Sequence, residues 1–392
     1  SVAGGAWGVQ MPGPPGAGPL VPGLPAGCVV EYTTVASELE PFTRDSCPDR
    51  TGCERLVPTW EWGLVELRVD GGVGGDRPMF FFTRDGPLGD WQKWLVDADG
   101  DAIFGVRGEL DRCFPAYLHA SSDGYGLVAI EPDGDYAHSW VLGGTWTPEM
   151  SLENLGRLSD LVPRGSDFHA VRAGARRIAV ESTPWHAVVD VPWSGDARIV
   201  GDGADGGETY VAAVIGDTVF YDVYGGHHHV RAATDGERGR VLIDPPGSEA
   251  IRILTDGTDM AWIQAYGRVD SFEFGRLELW TSPHAERAED LVPRRVADLS
   301  FTNPYPRAQI GAGHVAFIVY DPGGRFDSVV VYRLADGARA QIDSPLGGPH
   351  FRDIAYITAT TLATPASQSG SPPKDEWLTL IDIASLEFVS PP

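Results

Sequence analysis

Basic residues are scarce in this chain. Among 392 residues, 30 Lys+Arg stand against 55 Asp+Glu, a formal charge of −25. That charge repels phosphate backbones, and no Lys/Arg stripe offsets it, so nucleic acid is excluded as a partner. No apolar run approaches the ~18–20 residues that cross a bilayer as a helix, which excludes a span of that kind. The four cysteines form no CxxC pair, so zinc ribbons, thioredoxin-type exchange and c-type haem attachment lack their ligands. Lysine occurs twice, at Lys93 and Lys374, and the rest of the positive charge is arginine, a bias of composition with no functional meaning of its own. Also missing are a Gly-x-Ser-x-Gly elbow, an HExxH helix and a phosphate-cradling Gly-Lys-Ser/Thr, so the common hydrolase, zincin and P-loop chemistries have no motif here.

What is present is turn-forming and apolar material: 49 glycines, 31 prolines, and 42% hydrophobic residues, enough for a packed core despite the charge. Residues 1–27 are dominated by glycine and proline. A segment with so few anchoring side chains holds one conformation only against a surface, its own or a neighbour's. Leu24–Cys28 has the outline of a lipoprotein box, but Pro25 replaces the usual larger aliphatic residue and no hydrophobic stretch precedes it. Three of the cysteines, Cys28, Cys47 and Cys53, fall in the first 53 residues, and the fourth is Cys113. An even count concentrated in such a segment reads as disulfide stapling in an oxidising compartment. Cys47 and Cys53 flank the short loop Pro48–Gly52, which leaves Cys28 for Cys113; four free thiols are the alternative.

From about residue 58 the pattern has period two, in apolar blocks of four to eight residues bounded by Gly, Pro, Asp and Ser. A short helix is expected only near Met150–Leu158. One unit recurs, marked by the first aliphatic residue of its second strand: Met79, Leu127, Ile178, Val219, Met260, Val315 and Leu362, at steps of 48, 51, 41, 41, 55 and 47 residues. That is the spacing of four-stranded meanders arranged as propeller blades. In the sixth copy Arg307–Gly311, His314–Tyr320, Ser328–Leu334 and Ala338–Asp343 are the strands, with Asp336-Gly337 as the last hairpin turn; the fourth repeats this with Asp235-Gly236. Copies two and five carry insertions, Gly143–Ser159 and Ser282–Arg295. Leu386–Val389 is expected as the outer strand of the last blade, and Cys28–Val35 as an extra strand on a free edge near the ring closure.

On Val315–Asp321 (Val-Ala-Phe-Ile-Val-Tyr-Asp) and Glu278–Pro283 (Glu-Leu-Trp-Thr-Ser-Pro) the chain resembles the TolB-like and WD40-like β-propeller families. The resemblance covers about residues 58–392 and is one of architecture, so it implies a fold and a central channel but no activity. The expected fold is all-β: a seven-bladed β-propeller with an extended Gly/Pro-rich N-terminal arm. The arm occupies 1–57, and the blades run roughly over 58–110, 111–160, 161–206, 207–247, 248–302, 303–348 and 349–392.

Three constellations are candidates for chemistry. His227 and His229 share one face of a strand, but two imidazoles make an incomplete zinc site that Asp222 or Asp235 would have to complete; a polar turn explains them better. Asp97, Asp99 and Asp101 have the close carboxylate spacing of a calcium loop. The glycine is misplaced, however, and Gly108 stands where the bidentate Glu belongs, so a hairpin turn accounts for them and no cofactor is expected. The third constellation is positional. Where inner strands begin, at the mouth of a propeller channel, the chain carries Asp111, Arg112, Asp167, His169, Arg252, Arg307, His350, Arg352 and Asp353. Such groups either hold or cleave a sugar, or solvate the channel and pair with one another.

The leading reading is a secreted, non-catalytic propeller, extracellular or on the cell surface with the periplasm as the alternative. It would act through protein contacts, with residues 1–35 docking on other copies. Head-to-tail docking of that kind does not close and builds a filament or surface array. The second reading is a glycan-binding or glycan-cleaving propeller.

Overall fold

The computed structural model describes residues 29–31, 42–59, 62–64, 79–85, 90–97, 102–109, 114–120, 125–131, 140–145, 151–157, 167–174, 177–183, 187–192, 196–268, 273–299, 306–320, 326–344, 350–351, 353–354, 356–367 and 376–391. Their strands form seven antiparallel sheets that follow one another along the chain. The second holds Phe114–Ala120, Tyr125–Glu131, Trp140–Thr145 and Ser151–Arg157; the third Asp167–Gly174, Arg177–Thr183, Ala187–Pro192 and Arg198–Gly201. The fourth is Gly207–Ile215, Thr218–Gly225, His229–Thr234 and Arg240–Ile243, and the fifth Glu249–Thr255, Asp259–Arg268, Glu273–Pro283 and Arg294–Leu299. The sixth is Ala308–Gly311, His314–Tyr320, Phe326–Arg333 and Arg339–Asp343. All seven repeat markers fall on second strands.

Successive first strands lie side by side from Asp167–Gly174 through Gly207–Ile215, Glu249–Thr255 and Ala308–Gly311 to Tyr356–Ile357, so the sheets pack face to face around one axis. Burial on both faces is why the strands read as apolar runs instead of clean alternation. Val315 and Phe317 enter a core with Ile251, Ile263 and Leu279 of the fifth sheet. Ala316 and Ile318 point the other way, into a core with Ile354, Leu362 and Ile381 of the seventh. The fourth sheet divides in the same manner: Val219, Tyr221 and Val223 meet Ala179 and Val188 of the third, while Phe220 meets Met260 and Trp262 of the fifth.

Both ends of the chain build the last sheet. Its order is Phe42–Ser46, Cys53–Pro58, Glu376–Asp382, Thr361–Ser367 and His350–Phe351, with Tyr356–Ile357 also paired to Thr361–Ser367. The outer strands are therefore an N-terminal hairpin, and the 57/58 boundary falls inside this sheet. Leu386–Val389 does not take the outer position expected of it. The chain turns through a short 3-10 segment at Ile383–Ser385, and Val389 makes a bridge to Arg339 of the sixth sheet. Leu56, fully buried, and Cys53, 7% exposed, fill the place instead. The Cys47–Cys53 disulfide crosses the hairpin, as expected; Cys28 and Cys113 lie outside the described residues. Val29–Glu31 pairs with Ala102–Glu109, the outer strand of a first sheet that continues through Asp90–Asp97 and Met79–Asp85 to Trp62–Leu64. It thus covers an otherwise open edge. The remainder of residues 1–41 lies outside the description.

Two local expectations are corrected. Ser151–Arg157 is a strand, not a helix, because the ladder with Trp140–Thr145 overrides a brief 3.6-residue pattern. The Asp-Gly pairs sit in connections longer than two residues. Asp235 and Gly236 take φ 55° and 69°, yet the next strand starts at Arg240.

Leu56→Ala should lower the unfolding free energy in urea by about 2–5 kcal/mol, as expected for a fully buried leucine. Val389→Ala, at 70% exposure, should stay within about 0.5 kcal/mol. The opposite ranking would place closure at the C-terminus.

Candidate functional site

Antiparallel pairing puts the start of each first strand, the end of the second and the start of the third on one rim. Two of the channel-mouth residues meet there. Arg307, ahead of the sixth sheet's first strand, donates Nη1–H to Oδ2 of Asp353, which lies between the seventh-sheet strands His350–Phe351 and Tyr356–Ile357, at 2.9 Å, with the Asp353 side chain only 9% exposed. The other oxygen, Oδ1, accepts the Ile354 N–H at 2.8 Å, and the Asp353 carbonyl accepts the Thr364 hydroxyl at 2.6 Å. The pair is a clamp between neighbouring sheets. Asp167 opens the third sheet's first strand, His169 is the extra residue of its bulge between Phe168 and Ala170, and His350 opens a seventh-sheet strand. Asp111, Arg112 and Arg352 lie outside the described residues, as do Asp99 and Asp101; Asp97 ends the strand Asp90–Asp97.

A denser group sits where the fourth and fifth sheets meet. Asp222 is 5% exposed within the apolar run Val219–Tyr224 and lies on the face that carries Phe220 toward the fifth sheet. That sheet's first strand bulges between Ile251 and Leu254, with Arg252 at φ 57°, and the Ile253 N–H turns to Asp222 Oδ1 at 3.2 Å. Tyr224 donates its hydroxyl to Oδ2 at 3.4 Å. Its ring stands edge-on to Tyr210 and to His228, each centroid 5.0 Å away. Tyr210 donates to Glu208 at 2.5 Å, and His228 Nδ1 lies 3.5 Å from Glu249 of the fifth sheet. Gly207 is required beside this group, since a Cβ there would come within 2.0 Å of the Tyr224 carbonyl oxygen. Burial pushes the Asp222 carboxyl up to about 7 against the Ile253 N–H, Arg252 and the Tyr224 hydroxyl, all of which favour the anion.

The seam between the third and fourth sheets uses a related device: Glu181 Oε2 accepts the Val211 N–H at 3.3 Å beside the bulge in Gly207–Ile215. Composition and motif hold no sign of these clamps. The one available signal was a carboxylate inside a buried apolar strand.

His227 and His229 do share a face, their rings stacked at 6.2 Å. Both nitrogens of His229 are occupied, Nδ1 by the His227 carbonyl at 3.2 Å and Nε2 by the Arg231 guanidinium at 3.1 Å. His227 Nε2 meets Asp244 at 2.6 Å. Burial and the Arg231 charge hold His229 below the usual histidine range. A guanidinium on the coordinating nitrogen makes this a hydrogen-bond chain, and among the described residues no cluster of three His, Cys, Asp or Glu side chains could hold a metal ion.

The ring of antiparallel sheets defines the class: the chain is a β-propeller. No family model and no curated protein matches the sequence. Among solved structures it is similar to one of two prolyl endopeptidases, with TM-score 0.52 and 12% identity over 84% of this chain and 48% of that one. A catalytically inactive virginiamycin B lyase from Staphylococcus aureus with quinupristin gives TM-score 0.50 and 12% identity over 84% of this chain and 98% of the other. An acylaminoacyl peptidase of Pyrococcus horikoshii gives 0.50 and 10% over 84% and 52%. Likeness at this level of identity shows the fold alone.

The folded pKa of Asp222, about 7, exceeds the ordinary aspartate value of 3.8. Its stabilising contribution is therefore full below about pH 4 and lost as pH rises through about 7. Urea unfolding at about pH 5 and about pH 8 should show wild-type stability falling more with pH than that of Asp222→Asn, which keeps an oxygen acceptor without a charge. Parallel curves would refute the assignment.

Proposed function

We propose that this chain is an exported, non-catalytic β-propeller that works by holding other proteins. The observation that carries this reading is the pairing of Arg307 with Asp353. Residues that could have served as a free acid, base or anion clamp at the channel mouth are there tied into a joint between sheets. At the seam between the fourth and fifth sheets Tyr210 and Tyr224 are half-buried, edge-on to one another, and of the amphipathic ring type that contact surfaces favour. Export is supported by the Cys47–Cys53 disulfide, which persists in oxidising compartments. The −25 charge suits a well-solvated surface there. Among the described residues no helix is long and apolar enough to cross a membrane. The partner is a further copy of the chain, engaged through residues 1–35, which docks head to tail into a filament or array. Most of that segment lies outside the described residues, and this part of the reading rests on its composition.

Light scattering on the full chain at high concentration should give particles larger than a monomer, and deletion of residues 1–27 should return them to monomer size. Unchanged size on deletion would sink the assembly reading. A glycan ligand is the second reading, favoured by the half-buried Tyr210 and Tyr224 rings beside Glu208. If it holds, Asp167→Ala and His350→Ala, at the starts of two first strands, should abolish binding on a glycan array; retained binding would reject those positions.

A further inference from the structure

Strand alternation asks for an apolar side chain where Asp222 stands. Phe220, two residues earlier on the same face, packs with Ile253, Met260 and Trp262 across the seam. A buried carboxylate among such neighbours persists only when its oxygens are satisfied. Here the two donors come from different bodies: Ile253 N–H from the next sheet, and the Tyr224 hydroxyl from the rim. We propose that Asp222 is a proton-operated latch between the fourth and fifth sheets: as the acid it turns the Tyr224 hydroxyl away and leaves the seam closed, and as the buried anion it holds both donors but favours opening of the seam to water.

The proton balance is simple. The carboxylate accepts at Oδ1 from Ile253 and at Oδ2 from Tyr224. A proton taken up from water at Oδ2 makes that oxygen a donor and a poor acceptor, so the favoured bond runs from it to the Tyr224 oxygen, and the Tyr224 hydrogen turns to another group. Oδ1 keeps the Ile253 N–H, but as a bond to a neutral acid, longer and weaker than one to a carboxylate. No covalent bond within the chain forms or breaks.

The titratable and charged groups around the latch come from every element packed there. Glu208 and Tyr210 lie on the fourth sheet's first strand, Tyr224 on its second, and His228 at the head of its third; Glu249 and Arg252 lie on the fifth sheet's first strand. The Tyr224 ring contacts both Tyr210 and His228, and His228 faces Glu249. Burial opposed by Arg252 and two hydrogen bonds brings the carboxyl to about 7, where small changes of pH set its charge. The seam below, held by Glu181 and the Val211 N–H, provides an internal control.

Amide hydrogen exchange of the segment 249–255, corrected for the intrinsic rate at each pH, tests the latch on the full chain between about pH 5.5 and 8.5. The Ile253 amide should lose protection as pH rises and level off near neutrality, the midpoint of the closed seam's titration, because opening the seam hydrates the carboxylate. Asp222→Asn should abolish that titration, and Glu181→Gln should leave it in place. Tyr224→Phe keeps the ring and removes one donor to the anion. Arg252→Asn removes the favourable charge with a residue that tolerates the left-handed backbone at that position. Each should move the midpoint to higher pH. A wild-type amide that does not titrate, or titration that survives in Asp222→Asn, overturns the proposal. Should Asp222→Asn not fold, a midpoint unmoved in both Tyr224→Phe and Arg252→Asn overturns it equally.

Discussion

Pairing of Cys53–Pro58 with Glu376–Asp382 is the constraint on which the rest of this structure depends. The fourth and sixth sheets bury apolar side chains on both faces, so such a sheet is not stable alone; it needs a neighbour on either side. A chain of such sheets has two exposed ends unless the last meets the first. Here the N-terminal hairpin supplies the outer strands of the last sheet, and Cys53–Pro58 and Glu376–Asp382 both lie against Trp62–Leu64 of the first. The Cys47–Cys53 bridge limits the freedom of that hairpin before it docks, and Leu56 commits it to the core.

Closing the ring turns every second strand into a two-sided element, and that creates the polar problem the molecule solves at its seams. Bulges in the first strands release backbone N–H groups toward the preceding sheet, where water is excluded. A carboxylate on that sheet's second strand receives them: Glu181 for Val211, and Asp222 for Ile253. Farther round, the Arg307–Asp353 pair joins the sixth and seventh sheets with a salt bridge. Arg307 and Asp353, which look like chemistry in the sequence, thus serve cohesion in the fold. At the fourth–fifth seam Tyr224 links the buried carboxylate to the half-buried Tyr210 and the buried His228.

Local pattern carried a great deal. The seven markers from Met79 to Leu362 fall on second strands because the repeat is written in apolar blocks and turn residues, which act over a few positions. The Cys47–Cys53 bridge was legible for the same reason, since only five residues separate the two cysteines. His227 and His229 were correctly placed on one face, but their partners were not legible: Arg231 and Asp244 meet them through the pairing of strands, which residue spacing does not encode.

By itself the sequence determined an all-β chain of repeated meanders, acidic and rich in turns, because period and composition are properties of neighbouring residues. The tertiary structure alone decided which end of the chain closes the last sheet, and that Leu386–Val389 is left outside it. It also decided that Arg307 and Asp353 neutralise each other and that Asp222 spans a seam. Each of these brings together residues from different repeats or opposite ends of the chain, and their contact exists only once the sheets have packed around a common axis.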